Sequence, residues 1–151
     1  MNNFRNASAA EADILTEIAY RSEAYWGYDT EYMEKFREFY SVTQDFINRN
    51  PTVVIEGNNK PIGFYGILME QEDEISLEYF FIEPEYIGHG YGKLLWNHLI
   101  EHCRNLGIRE LDIVTSPQAK DFYVKMGAVH CGELESLLKK GRIIPKLIYK
   151  V

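Results

Sequence analysis

Gly88, Gly90 and Gly92 stand at every second position, just before a segment whose apolar residues recur at 91, 94, 95, 99 and 103. That periodicity predicts a helix opening on the glycines. Glycines let the backbone bend and approach a ligand closely, and the unpaired N–H groups of a first helical turn point at whatever sits there. The chemistry on offer is anion binding, above all of phosphate. Upstream, Leu77 to Ile82 is rich in aromatic and branched residues and reads as a buried strand, which Pro84 ends because it brings no N–H to a ladder. Spacing discriminates among the phosphate cradles built as strand, glycine turn and helix. A dinucleotide fingerprint needs a third glycine where Lys93 stands, and a Walker loop needs a hydroxyl where Leu94 follows Lys93.

What remains is Ile82-Glu83-Pro84, three residues, then Gly88-His89-Gly90-Tyr91-Gly92. This resembles the acetyl-CoA loop of the GNAT superfamily of N-acetyltransferases, written [QR]-x-x-G-x-[GA]. A second segment downstream, Ser116 to Gly127 (SPQAKDFYVKMG), is similar to that superfamily's other signature, with Ala119, Phe122, Tyr123, Gly127 and Ala128 in register. The resemblance extends over roughly Val53 to Cys131. An early YWGY segment at Tyr25–Tyr28 and the tail around Gly132, Gly141, Arg142 and Pro145 look like a bacterial subset of these enzymes. Two positions depart from the pattern. Ile87 stands where Gln or Arg is usual, so the grip on the coenzyme is expected to rest on backbone amides and Lys93; Gln118 stands where an asparagine commonly contacts the coenzyme.

The resemblance implies acetyl-CoA as acetyl donor and a primary amine, small or protein-borne, as acceptor. It implies that the main chain of Phe80, Phe81 and Ile82 pairs with the pantetheine arm and polarises the thioester carbonyl. The N–H groups of Ile87, Gly88, His89, Gly90, Tyr91, Gly92 and Lys93 would hold the pyrophosphate, and Gln118 and Tyr123 would also touch the coenzyme. Tyr123 is the candidate general acid: a phenol of pKa ~10 facing a thiol of ~8.5 is close enough to help a thiolate leave. An amine must be neutral to attack, so a base is expected. Glu78 is the first candidate, because period-2 alternation puts it on one strand face with Phe80 and Ile82; a structural glutamate is the competing reading. Tyr25, Trp26 and Tyr28 are candidates for the acceptor pocket or for plain helix packing. His89 is expected to face solvent. His98 and His102 lie one helical turn apart without a third ligand, so no metal is expected.

Composition bounds the rest. The chain has 151 residues and a net charge of −7, with 46% hydrophobic and 26% charged residues. One domain over 1–151 is the simplest organisation. Without a Lys/Arg stripe nucleic acid is not an expected partner, and no run is long enough to cross a bilayer. Cys103 and Cys131 form neither a disulfide framework nor a zinc spacing, and the cytoplasm is the expected compartment. Monomer and homodimer stay open.

The elements that must position these groups follow from pattern. Residues 3–7 read as a first strand, with Ser8 and Glu11 at capping-box spacing before a helix running towards Tyr25. Gly27 breaks it, Asp29 or Thr30 caps a second, and a short turn covers Gln44 to Asn48. Strands at Thr52–Glu56 and Ile62–Met69 flank a hairpin loop, and the acidic run Glu70–Glu74 reads as a solvated turn. The helix after the glycines stops at Gly107. Leu111 to Val114 is a strand, Ala119 to Met126 a helix with Ser116 as cap and Pro117 at its first position, and Ala128 to Cys131 another strand. Glu133 to Gly141 is a polar loop or hairpin arm, and Ile143 to Val151 a last strand. The element order gives an α/β fold class, a mixed central sheet flanked by helices on both faces, and the resemblance implies that this sheet is mostly antiparallel and of the acyl-CoA N-acyltransferase kind. Two alternatives stay open: a non-catalytic acyl-CoA sensor, and a nucleotide-binding αβ protein.

Overall fold

The computed structural model describes residues 3–71 and 73–151. Strand β1 (Asn3–Asn6) leads through a capping box into helix α1 (Ala12–Ala24). Glu11 accepts from the Ser8 N–H at 2.9 Å and also takes a two-pronged contact from Arg5 at 2.7 and 2.6 Å, tying the strand to the helix start. Gly27, at φ +83°, turns the chain into α2 (Thr30–Tyr40), whose Asp29 cap accepts from the Tyr32 N–H at 2.8 Å. Helix α3 (Gln44–Arg49) is capped by Thr43 in the same way.

β2 (Thr52–Gly57) and β3 (Lys60–Gln71) form a hairpin tighter than the pattern suggested. Asn58 and Asn59, at φ 53° and 63°, make a two-residue turn, so Lys60 and Pro61 already belong to β3. β3 pairs with β4 (Glu74–Ile82), with Gln71 opposite Glu74; Glu72, in the acidic run, lies outside the described residues. A one-turn 3-10 helix at Pro84–Tyr86 precedes α4 (Tyr91–Asn105), which Gly107 ends at φ +75°. β5 (Glu110–Val114), α5 (Lys120–Lys125), β6 (Val129–Glu135) and β7 (Ile143–Lys150) follow. β6 extends past Cys131 because β7 pairs with it as far as Glu135.

The sheet has seven strands in the order β1-β2-β3-β4-β5-β7-β6. All neighbours are antiparallel except β4 and β5. Alternation sends Val53, Ile55, Tyr65 and Ile67 to one face, against Leu95, Trp96, Leu99 and Cys103 of α4. Val54, Phe64 and Tyr79 go to the other, against Leu15, Ile18 and Ala19 of α1 and Met33 and Phe36 of α2. Helices therefore cover both faces.

Candidate active site

The parallel pair is where the sheet opens. Among the described residues the only registered partners between β4 and β5 are Ser76 and Asp112, near the start of β4. Beyond Leu77 the flank of β4 that faces β5 has no registered strand partner, although its other flank pairs with β3 through Ile82. The gap widens into a cleft of about 600 Å³ at the C-terminal ends of both strands. Phe80, Phe81 and Ile82 line it from β4 and Ile113 and Val114 from β5.

The glycine segment closes one end. Gly88 and Gly90 sit at φ +85° and +86°, in the left-handed region that other residues reach only at a cost, and a Cβ at either would meet nothing within 4 Å. Gly90 is the N-cap of α4 and offers no side chain to its first turn, which also carries no acidic residue. Every other helix has an acidic first turn, so α4 alone leaves its N-terminal partial charge uncompensated among the described residues. Gly92 serves packing instead: its Cβ position lies 3.2 Å from Phe122 of α5. Ile87, Gly88, Gly90, Gly92 and Lys93 line the cleft; His89 and Tyr91 do not, His89 being exposed and Tyr91 packing edge-on against Tyr86.

Tyr123 is delivered by α5. The turn before that helix is held by Ser116, whose Oγ accepts from the Ala119 N–H at 3.2 Å, so regular helix starts at Lys120 rather than Ala119. The Tyr123 ring is buried edge-on against Phe80 and Trp96 and still borders the cleft. Burial pushes its phenol well above the usual range, and the charge of Glu23 adds to this. The near match between phenol and thiol assumed from free-solution values is therefore wider here.

Glu78 also borders the cleft, but not by simple alternation. Gly66 faces Tyr79 and the next residue of β3, Ile67, faces Leu77, so Glu78 is the extra residue of a β-bulge. Leu77 takes the place on the α4 face with Phe80 and Ile82, while the charge of Glu78 is felt by Tyr79 and Tyr40 on the α1–α2 side.

The candidates from the early aromatic segment separate. Trp26 lines the cleft. Tyr25 is 55% exposed and packs edge-on against Trp26 without reaching the cleft. Tyr28 stands behind the wall, in a neighbouring 510 Å³ hollow. It donates to Gln118 Oε1 at 3.0 Å, stacks on Tyr32 at 3.9 Å, and accepts from Arg142 at 2.7 Å. Gln118 lines the cleft with its amide oxygen held from that side, since Arg142 also donates to it at 3.2 Å.

Two residues were missed at the sequence level. Glu23, on α1, lines the cleft and accepts from Tyr32 Oη at 3.2 Å. Burial holds its carboxyl above the usual range, opposed by the Tyr32 hydrogen bond and by the charge of Arg142. Its signal was present: Leu15, Ile18, Ala19 and Ser22 mark the buried face of α1, and Glu23 continues that stripe four residues after Ala19. Arg142 lies over the rings of Tyr28 and Tyr32 at 4.8 and 5.4 Å, a placement no local pattern announces.

His98 and His102 lie elsewhere, both Nδ1 atoms within 2.9 Å of Tyr65 Oη. Among the described residues no group of three or more His, Cys, Asp or Glu side chains is placed to hold a metal. Cys103 is buried beside them with its thiol pushed up to about 11 by burial; Cys131 is exposed.

The sequence and the fold both have known counterparts. Residues 15–128 match the acetyltransferase (GNAT) family. The chain belongs to that family. An uncharacterised N-acetyltransferase of Methanocaldococcus jannaschii is 26% identical over 134 residues, covering 82% of this chain; the chain spans 58% of that relative's length. Among solved structures, the PaiA N-acetyltransferase of Thermoplasma acidophilum in complex with coenzyme A superposes with a TM-score of 0.83 at 19% identity, over 100% of this chain and 99% of that one. Apo YjaB of Escherichia coli gives 0.73 at 24% identity, over 99% and 97%. At these identities the structures speak for the fold: a seven-stranded, mostly antiparallel GNAT sheet between helices.

Proposed function

We propose that this chain is an acetyl-CoA-dependent N-acetyltransferase that moves an acetyl group to a primary amine by direct attack. The observation that carries the reading is the split between β4 and β5, with the glycine turn, Tyr123 and Glu78 all bordering one cleft. The residues fit the coenzyme. Open space at Gly88 and Gly90 and the uncompensated first turn of α4 suit a pyrophosphate, and the unpaired flank of β4 suits an added strand-like arm. Acetyl-CoA supplies the activated acetyl group as a thioester. Main-chain N–H groups within Phe80 to Ile82 polarise its carbonyl, Lys93 adds charge at the mouth, and Tyr123 gives its proton to the departing sulfur. Desolvation raises a buried thiolate's pKa as it does the phenol's, which narrows the gap opened by burying Tyr123. Glu78 is the proposed base.

The second reading, an acyl-CoA sensor without turnover, draws on Ile87 and Gln118, the latter engaged with Tyr28 and Arg142. Thermal stabilisation by acetyl-CoA, compared with ATP and NAD at saturation, tests both. A shift with acetyl-CoA alone is expected; no shift with any CoA ester removes both. Thiol release with an amine panel then separates enzyme from sensor.

A further inference from the structure

The wall of the cleft opposite the glycine turn is built from α1 and α2. Trp26, Tyr32, Phe36 and Tyr40 contribute aromatic surface there, and one carboxylate stands among them, Glu23. Helix α1 is fixed against the end of β4 by Arg21, which grips Glu83 with two 2.8 Å hydrogen bonds, so Glu23 is held at a set depth. Among the described residues Glu23 makes no ion pair; its hydrogen bond comes from the neutral Tyr32 hydroxyl. Arg142 acts on it through its charge but forms no ion pair with it, and a desolvated carboxylate is costly unless a ligand brings a cation into contact. Aromatic faces around a carboxylate are the surroundings an organic ammonium prefers.

We propose that Glu23 is the acceptor-side carboxylate, binding the ammonium of a primary amine carried on an apolar stem and taking its first proton. This rests on the acetyl-transfer reading and deepens it. An ammonium loses two protons on becoming an amide N–H. Glu23 takes the first and releases it to solvent after turnover. The nitrogen lone pair then forms the C–N bond, the C–S bond breaks with its electron pair on sulfur, and Tyr123 protonates that sulfur. The second nitrogen proton passes through Glu78 to restore Tyr123, so one proton is released per acetyl transferred.

Titration couples these roles. The groups facing Glu23 are Tyr32 and Tyr40 from α2, Tyr123 from α5 and Arg142 from the loop before β7, with Glu78 of β4 acting on the same Tyr40. While ionised, Glu23 helps hold Tyr123 protonated. Once Glu23 has taken the proton that charge is gone, and Tyr123 becomes the better acid just when a thiolate must leave. Base and acid are thereby ordered.

The test uses the full chain, acetyl-CoA, and three probe amines: 2-phenylethylamine, tyramine and n-hexylamine. Wild type should release thiol with at least one. Glu23→Gln should lower kcat/KM about 10²-fold near neutral pH and regain much of it at high pH, where the amine is already neutral. The acetyl-CoA stabilisation should be unchanged. The folded protein binds the Glu23 proton more tightly than the unfolded chain, so this group's ionisation opposes folding above its raised pKa, and Glu23→Gln should melt no lower than wild type at neutral pH. Under the same conditions Glu78→Gln should lower kcat with less effect on the amine KM. Three results overturn the proposal: a wild-type pH profile in Glu23→Gln; a pH-independent rate loss together with a lower melting temperature, which marks a structural carboxylate; or no turnover of any probe by protein that acetyl-CoA stabilises. Absence of stabilisation by acetyl-CoA instead removes the acetyl-transfer reading itself.

Discussion

The two halves of the cleft are assembled differently. The half proposed for the donor comes from two continuous runs, Leu77 to Lys93 and Ser116 to Tyr123, shaped largely by local turns, with Gln118 the exception because Tyr28 and Arg142 hold it from a distance. Gly88 and Gly90 need positive φ to make the turn, and the Ser116 side chain fixes the start of the helix that carries Tyr123. The half proposed for the acceptor is assembled across the chain. Arg142 reaches Tyr28 and Gln118 from 114 and 24 residues away, and Glu23 meets Tyr32 across the turn between two helices. Under the proposed function, local geometry shapes the half assigned to the donor, while long-range side-chain contacts shape the half assigned to the acceptor.

Tyr123→Phe breaks this comparison most severely if it fails. The ring packs among Phe80, Trp96 and Phe122, and losing one hydroxyl leaves that packing intact. The expected result is a fall in kcat of about 10²-fold with acetyl-CoA binding preserved. Stopped-assay thiol release and thermal shift measure the two separately. Equal loss of both would make the ring a structural part of the donor half.

Arg142→Met should act on the other half, and more weakly. It removes the bridge to Tyr28 and Gln118 and the guanidinium over two rings while keeping an apolar stem. Each neutral hydrogen bond to a charged group is worth about 1.5–3 kcal/mol at most, and much of that returns as solvation at a half-exposed site. An amine KM several-fold higher, with kcat and acetyl-CoA stabilisation nearly unchanged, is the expected pattern. A matching loss of acetyl-CoA binding would mean that Gln118 needs this bridge to serve the donor.

That contrast also explains what could be read from sequence. The strand–glycine–helix order, the Ser8–Glu11 capping box and a mixed α/β sheet covered on both faces follow from local rules, whereas Tyr123 was singled out by the resemblance of Ser116–Gly127 to the family's second signature. The β-bulge at Glu78, which brings Leu77 to the face of Phe80 and Ile82, could not be read from period-2 alternation alone. Glu23 was legible in part, as a carboxylate on an otherwise buried helical stripe. Arg142 was not, because its partners are set by how the last loop folds back over α2.

The smallest effect expected is at a cluster outside both halves, and it serves as their control. Tyr65 Oη lies 2.9 Å from His98 Nδ1 and 2.8 Å from His102 Nδ1, and Phe4 stacks on His98 at 4.2 Å. One hydroxyl has one proton, so it donates to one imidazole and accepts Nδ1–H from the other; both rings are satisfied while neutral. Burial lowers both imidazole pKa values, with His102 charge adding to the effect at His98. The folded protein therefore binds fewer protons than the unfolded chain. The stability from these groups is fully present above the unfolded value of about 6.5 and is lost as pH falls through the lower folded values. Melting temperature should drop between about pH 7 and 5, and His102→Gln should reduce that drop by removing one of the two titrations. Its acetyl-CoA stabilisation and amine kinetics should match wild type, because neither ring borders the cleft. If they do not, the α4 face that carries these histidines is coupled to the glycine turn at its other end, and the donor half is less local than its sequence makes it look.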